Sequence, residues 1–358
     1  MTGGGTAQSV RAGTAADGPG HWLPGSGGQP LTSLADVALC DLDGVAYLGT
    51  KAVAGAAEGV AAARAAGVRF LFITNNASRP PAVAAQHLKA VSGIDAAPAD
   101  FFTSAQAIAG LIASELPARS RVLVIGGDGL MEAIAEAGLS PVKQADESPV
   151  AVVQGWGPDV DWAELAEGAY AINQGALYYA SNLDATLPTE RGFAPGNGAL
   201  VAALVAATGK RPVTAGKPEP TIYEQAVARC GATRPLVIGD RLDTDLAGAR
   251  AAGLPGVLAL TGVSDAVDLA LAPPAQRPTH VIGRLTDLTG VQPAPRREGA
   301  VWLVGGAQAR WSGDRIEAAY GAPDWLDAVR AVALAAWEAA DAGREVRREQ
   351  IPVVVPQA

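Results

Sequence analysis

From residue 36 onward, short apolar runs alternate with alanine-rich stretches of helical length. "DVALCDLDG" reads as a first strand and "GAAEGVAAARAAG" as the helix after it. "VRFLFITNN" is then a second strand, closing a right-handed crossover beside the first. Much later "PLVIGD" and "GVLALTG" repeat the pattern, separated by "LDTDLAGARAAG" as a helix that ends on Gly253. Strands that are apolar throughout, each followed by a helix, predict a parallel sheet covered on both faces. Between the two halves lies a second α/β stretch whose strands read as "RVLVIGG", "VAVVQGW" and "ALYYASN". The economical organisation is an inserted domain.

Both ends depart from this rhythm. The first 31 residues are rich in Gly, Ser, Thr and Pro, with no apolar block long enough for a signal-peptide core, and they read as a disordered tail in which His21 and Trp22 belong to linker. From residue 293, "QPAPRRE" reads as a linker, "AVWLVGGAQARWSGDRIEAAY" as a hairpin and "PDWLDAVRAVALAAWEAADAG" as an amphipathic helix. This end is expected to be an appendage whose apolar helix face packs on the rest of the chain or forms a homodimer.

A length of 358 residues suits two or three domains with a sizeable core. Hydrophobic residues make up 49% of the chain, yet no run approaches the roughly 18 apolar residues of a membrane span. The net charge of −9 argues against broad binding to nucleic acid or anionic membrane, which needs basic patches. Cys40 and Cys230 are the two cysteines, far apart and each in an apolar stretch. Neither a disulfide framework nor a zinc cluster follows, and a reducing cytoplasm fits.

The chemistry gathers at strand ends. Ligands of open α/β sheets bind outside the carboxyl ends of the strands, where Asp41 and Asp43 lie. If the extended geometry continued, both side chains would point to one side. Two carboxylates that close repel unless a cation joins them or one keeps a proton. Both solutions serve phosphoryl transfer, in which one carboxylate attacks phosphorus and the other exchanges a proton with the leaving and entering oxygens. "FITNNAS" places Thr74, Asn75 and Asn76 at the end of the second strand, as donors for phosphoryl oxygens. "TAGKPEP" supplies Lys217 before a proline-opened helix, and "VIGDRLDTD" ends another strand with Asp240, Asp243 and Asp245. A strand-end Asp by itself often only caps the next helix; the four clusters together are what carry the reading. Turn and cap chemistry competes with a phosphate role for Asn76, Ser78 and Arg79, and Asp243 reads as a helix-start carboxylate. His87 and His280 lack partners at metal spacing, and Trp156 and Trp162 read as indoles buried at a domain interface.

Through "DLDGV", "ITNN", "GKPEP" and "GDRLDTD", residues 35 to 290 resemble the haloacid dehalogenase superfamily phosphatases of the class IIA branch. That branch includes 4-nitrophenyl phosphatases, phosphoglycolate and glycerol-phosphate phosphatases, and pyridoxal phosphatases. The resemblance implies a doubly wound, Rossmann-like parallel-sheet core over 32–106 and 213–292. It also implies an inserted α/β class II cap over 107–212, with a small C-terminal α+β appendage over 293–358. It implies Asp41 as nucleophile, Asp43 as general acid and base, and Lys217 as the cation pairing with nucleophile and phosphate. Thr74 and Asn75, with Asn76, would bind phosphate. Mg²⁺ would be held by Asp41, the backbone carbonyl of Asp43 and Asp240, with Asp245 supporting the metal shell.

The substrate implied is a small-molecule phosphate ester. "SNLDATLPTERGFAPGNGALVAALVAATGKRP" resembles the cap-to-core return of the family. There Leu187 stands where relatives acting on pyridoxal phosphate carry a histidine, and those acting on phosphoglycolate or glycerol phosphate a leucine. The C-terminal extension similarly resembles that of actinobacterial glycerol-3-phosphate phosphatases. Glycerol 3-phosphate is therefore the expected substrate, with phosphoglycolate, pyridoxal phosphate or a sugar phosphate as alternatives. "VVQGWGPDVDW" departs from the usual cap pattern at Gly157 and Pro158. Two readings from other classes remain: a phospho-accepting signalling module, which would be compact and lack a large insert, and a scaffold with a vestigial site, which intact Asp41, Asp43, Lys217 and Asp240 oppose.

Overall fold

The structure is a computed structural model, and it describes residues 23–189 and 191–355. In chain order, β1 (Val37–Cys40) leads into a small hairpin of β2 (Tyr47–Leu48) and β3 (Lys51–Ala52), followed by α1 (Ala56–Ala65), β4 (Arg69–Thr74), α2 (Pro81–Ser92) and β5 (Phe101–Thr103). A second unit continues with α3 (Ser104–Glu115), β6 (Arg121–Ile125), α4 (Asp128–Glu136), β7 (Ser140–Val142), β8 (Ala151–Gln154), α5 (Trp162–Asn173) and β9 (Leu177–Ala180). The hairpin β10 (Thr186–Thr189) and β11 (Gly192–Pro195), α6 (Asn197–Thr208) and β12 (Val213–Thr214) complete it. The chain then returns through α7 (Pro220–Cys230), β13 (Pro235–Gly239), α8 (Ala247–Ala251), β14 (Gly256–Ala259), α9 (Ala266–Ala270) and β15 (His280–Ile282). It ends in β16 (Arg296–Glu298), β17 (Val301–Val304), β18 (Ala307–Ser312), β19 (Arg315–Ala319) and α10 (Trp325–Asp341).

The main sheet runs in the order β15-β14-β13-β1-β4-β5, parallel throughout. All four residues of β1 are buried because the pleat sends them to two cores. Ala38 and Cys40 pack with Phe70, Phe72 and Ile238 beneath α1 and α2. Val37 and Leu39 pack with Leu71, Ile73 and Val237 on the other face, against Ile108, Ile222 and Tyr223. The second sheet, β12-β9-β8-β6-β7, is also parallel. Its Val122, Val124 and Val153 enter the same cluster as Val37 and Leu39, so the two sheets share apolar contacts rather than meeting at a bare hinge.

Several expectations are corrected here. The tail expected over 1–31 is folded from residue 23: Leu23 is buried, Ser26 N–H donates to Gln292 O while Gln292 N–H donates to Ser26 Oγ, and Leu31–Ser33 forms a 3₁₀ turn. His21 and Trp22 lie outside the described residues. The second sheet takes in Val213–Thr214, past the boundary expected at 212, because these residues pair with Tyr179 and Ala180. The segment read as a linker contains β16, so the C-terminal end is a four-stranded antiparallel sheet, β16-β17-β18-β19, and not a single hairpin. Trp162, expected to be buried at an interface, is 78% exposed at the start of α5. Its neighbour Asp161 caps that helix through Glu164 N–H, a geometry that points position 162 outward without cost to the cap.

Candidate active site

The ends of β1, β4 and β13 converge with the segment preceding α7. Asp41 follows β1 directly, its N–H still bonded to Ile238 O at 2.8 Å, and Asp240 follows β13. Lys217 lies three residues before the helix that Pro220 opens. Its ammonium is buried and donates to Asp41 Oδ1 at 2.5 Å and to Asp245 Oδ1 at 2.7 Å. Carboxylate oxygens of Asp41, Asp240 and Asp245 all come within 4.8 Å of one another, and all three residues are buried.

Three carboxylates and one ammonium in a desolvated space leave an excess of negative charge. Desolvation raises Asp41 well above the usual carboxylate range; Lys217 opposes that rise, while Asp245 and Asp240 add to it. Desolvation with repulsion from Asp245 pushes Asp240 up to about 7. Lys217 pays desolvation too, yet Asp245 and Asp41 hold it firmly charged. One oxygen of Asp240 accepts Val263 N–H at 2.7 Å, while Oδ1 is buried with no partner. An orphaned carboxylate oxygen among like charges is a donor set that fits a hard divalent cation.

Backbone makes the room. A Cβ at position 44 would stand 2.2 Å from Asp240 Oδ2, and Gly44 has φ +86° besides; a Cβ at position 262 would stand 2.0 Å from the same oxygen. Asp245 sits on a π-helical turn, Leu242–Leu246, that opens the helix expected from the sequence. Asp245, expected to support the metal shell, lies in the acidic cluster with Lys217 on one oxygen and Arg241 N–H at 3.2 Å on the other.

The opening pair lies in two different environments. β1 ends at Cys40 and the chain turns, so Asp41 is buried while Asp43 is exposed, accepting Gly49 N–H at 3.4 Å. Desolvation raises the Asp43 carboxyl, with the Gly49 bond and the charges of His87 and Lys217 pulling the other way. Thr74 Oγ1 accepts Asn76 N–H at 3.1 Å, and Asn76 Oδ1 accepts from Ser78 N–H and Oγ. Asn76 is thus occupied by its own turn, as its residue type allows. Asn75 is tied to Lys217 and to Asp184. Leu187 lies on β10, half-buried and paired with Ala194, three residues past Asp184. Asp184, Asn182 and Ser104 were missed as site residues; the polar run "SNLD" directly after the strand "ALYYA" was the available signal. A groove of about 850 Å³ lies at the opposite strand ends, between Arg69 and Cys230, away from this chemistry.

Residues 38–140 match the haloacid dehalogenase-like hydrolase family and residues 214–288 a HAD-hydrolase-like family. A D-glycerol 3-phosphate phosphatase of Mycobacterium tuberculosis is 44% identical over 310 residues, 85% of this chain and 86% of that one. A 5'-nucleotidase of Bacillus subtilis is 38% identical over 251 residues, 70% of this chain and 95% of the relative. Among solved structures, a glycerol phosphate phosphatase of Mycobacterium tuberculosis in complex with magnesium aligns with TM-score 0.80 at 42% identity, covering 87% of this chain and 92% of that chain. A p-nitrophenyl phosphatase of Archaeoglobus fulgidus aligns with TM-score 0.65 at 29% identity, covering 71% and 98%.

Proposed function

This chain belongs to the haloacid dehalogenase-like hydrolases, and from that premise we propose that it hydrolyses small phosphomonoesters through an aspartyl phosphate, with glycerol 3-phosphate as the favoured substrate. The observation that carries the reading is the buried contact of Lys217 with Asp41 beside the unpartnered Asp240 Oδ1. The substrate rests on the name of the mycobacterial relative and on Leu187.

Asp41, held by Lys217, attacks phosphorus as the ester P–O bond breaks, and the phosphoryl group passes to its carboxylate. Asp43, raised toward protonation, gives its proton to the leaving alkoxide. It then takes a proton from the water that attacks the aspartyl phosphate, which releases inorganic phosphate and restores Asp41. Lys217 keeps nucleophile and phosphoryl oxygens from repelling each other. Mg²⁺ would be held by Asp41, Asp240 and the backbone carbonyl of Asp43, near Asp245, and would supply neutralising charge to the phosphate. Thr74 and Asn76 border the phosphate position in this reading. In this reading residues 32–103 and 215–292 serve as the catalytic core, 104–214 as the cap, and 293–355 as an accessory unit.

Among the described residues no helix is long and apolar enough to cross a membrane. We place the protein in the cytoplasm, a reading supported by its two free cysteines. The test is a panel of phosphate esters with Mg²⁺ or EDTA. Glycerol 3-phosphate should lead, EDTA should abolish turnover, and Asp41→Asn should lower kcat by on the order of 10³-fold or more. Activity that survives EDTA, or an Asp41→Asn enzyme retaining a few per cent, would contradict the mechanism.

A further inference from the structure

Asn75 was expected to bind phosphate, yet its side chain is fully engaged. Its Oδ1 accepts Lys217 N–H at 2.8 Å, and its Nδ2 donates to Lys217 O at 3.0 Å, so the amide grips the lysine backbone on both sides. The remaining N–H is shared between Asp184 Oδ1 at 3.2 Å and Oδ2 at 3.1 Å. An amide has two donor hydrogens, and both are spent. Turning the amide over would set its oxygen against a carboxylate and its NH₂ against Lys217 N–H, so the donor–acceptor pattern fixes its orientation. The backbone carbonyl of Asn75 accepts Ser104 Oγ at 2.6 Å and Asn182 Nδ2 at 2.7 Å. Ser104 stands where the chain leaves the main sheet for the second unit, and Asn182 lies just past β9 of that unit's own sheet.

Resting on the phosphatase reading above, we propose that Asn75 and Asp184 are positioning residues for Lys217. Asp184, at the root of the β10–β11 hairpin, orients the Asn75 amide, and that amide holds the lysine so that its ammonium bridges Asp41 and Asp245. Substrate contact then belongs to other groups, and the route from the second unit to the nucleophile runs Asp184, Asn75, Lys217, Asp41. A displacement of about 1 Å in a group that positions a nucleophile can cost on the order of 10²-fold in rate.

The test uses the full-length enzyme with Mg²⁺, p-nitrophenyl phosphate as ester and inorganic phosphate as competitor. Asn75→Ala should lower kcat by roughly 10- to 100-fold while KM and phosphate inhibition stay within about threefold. Asp184→Ala should lower kcat by about tenfold, and Asp184→Asn, which keeps an acceptor, should recover most of that loss. The double variant should be no slower than Asn75→Ala alone, because the two act in series. A tenfold rise in KM and weaker phosphate inhibition for Asn75→Ala, with Asp184→Ala silent, would make Asn75 a phosphate ligand and overturn the proposal. If Asn75→Ala does not fold, the Asp184 pair decides: unchanged kcat in Asp184→Ala overturns it. A crystal structure of Asp184→Ala separates this from failure of the phosphatase reading. Lys217 Nζ should move off Asp41, and an unmoved 2.5 Å contact refutes the positioning role whatever the wild type hydrolyses.

Discussion

At the scale of single residues, the site depends on what is absent as much as on what is present. Gly44 and Gly262 leave the space that the Asp240 carboxylate fills. Gly44→Ala should therefore displace Asp240 and raise the Mg²⁺ concentration needed for half-maximal activity by at least about tenfold, from the loss of ligand placement. A metal titration of the variant checks it, and an unchanged midpoint would show that the crowding is relieved elsewhere. Asp240 also sets a pH dependence. Its carboxyl lies near 3.8 when unfolded and about 7 in the metal-free fold, so between those values the folded state holds more protons than the unfolded one. Its contribution is fully present below the unfolded value and is lost as pH rises through 7. Without metal, the melting temperature should fall by on the order of 5 °C between pH 5 and pH 8, and Mg²⁺ should stabilise more at pH 8 than at pH 5. Scanning calorimetry at the two pH values, with and without Mg²⁺, reads both effects.

At the scale of elements, Asp41, Asp240 and Lys217 lie just beyond the ends of strands, where the backbone has stopped following a regular pattern. Asp41 follows a four-residue strand, and Asp245 rides a π-helical turn that lets its carboxylate reach Lys217 while Leu242 and Leu246 stay buried. Extra-wide turns of this kind are frequent at functional positions. The β10–β11 hairpin is the element through which substrate choice should act, since its root at Asp184 is bonded to Asn75. A leucine at 187 offers no donor to a pyridine ring and suits a three-carbon ester. The wild type should prefer glycerol 3-phosphate to pyridoxal phosphate by at least about tenfold in kcat/KM, roughly 1.4 kcal/mol. Leu187→His should narrow the ratio by raising activity on the aromatic ester. A wild-type preference for pyridoxal phosphate, or a ratio untouched by the substitution, removes this hairpin from specificity.

At the scale of the molecule, the C-terminal unit is part of the packed body. Trp302, Val304, Ile316 and nearly every residue from Ala328 to Trp337 bury in one cluster with Leu242, Leu258, Val267 and Val281 of the catalytic half. Leu23 joins the same cluster, so both ends of the described chain are fastened to the outer strands of the main sheet. Trp337 is its fully buried centre: its indole N–H donates to Leu269 O at 2.9 Å, Arg277 stacks 5.0 Å from the ring, and Arg277 pairs with Asp341 through two 2.7 Å bonds. Trp337→Ala should destabilise the whole protein by roughly 3–5 kcal/mol. Denaturant unfolding followed in both the C-terminal unit and the active site should lose stability together. Loss confined to the C-terminal unit would mean that it folds as a separate appendage.

The local code determined the parallel strands and their helices, because apolar runs such as "VALC" and "FLFIT" can only be buried on two faces, and it determined the residue types of the site. It also marked the strand ends as the place for chemistry. Periodicity could not see short strands such as β7, β12 and β16, since so few positions carry no alternation and their identity comes from a neighbour's hydrogen bonds. Residues 23–31 read as tail because their order depends on Gln292 and on Leu23 entering a core built by the far end of the chain. Only the tertiary structure buried Asp41 and left Asp43 exposed, since the strand ends at Cys40 and the chain turns between them. Only it brought Asp245 against Lys217 and turned Asn75 toward Asp184, because charge balance and amide satisfaction are set by groups more than a hundred residues apart in sequence or on a distorted turn.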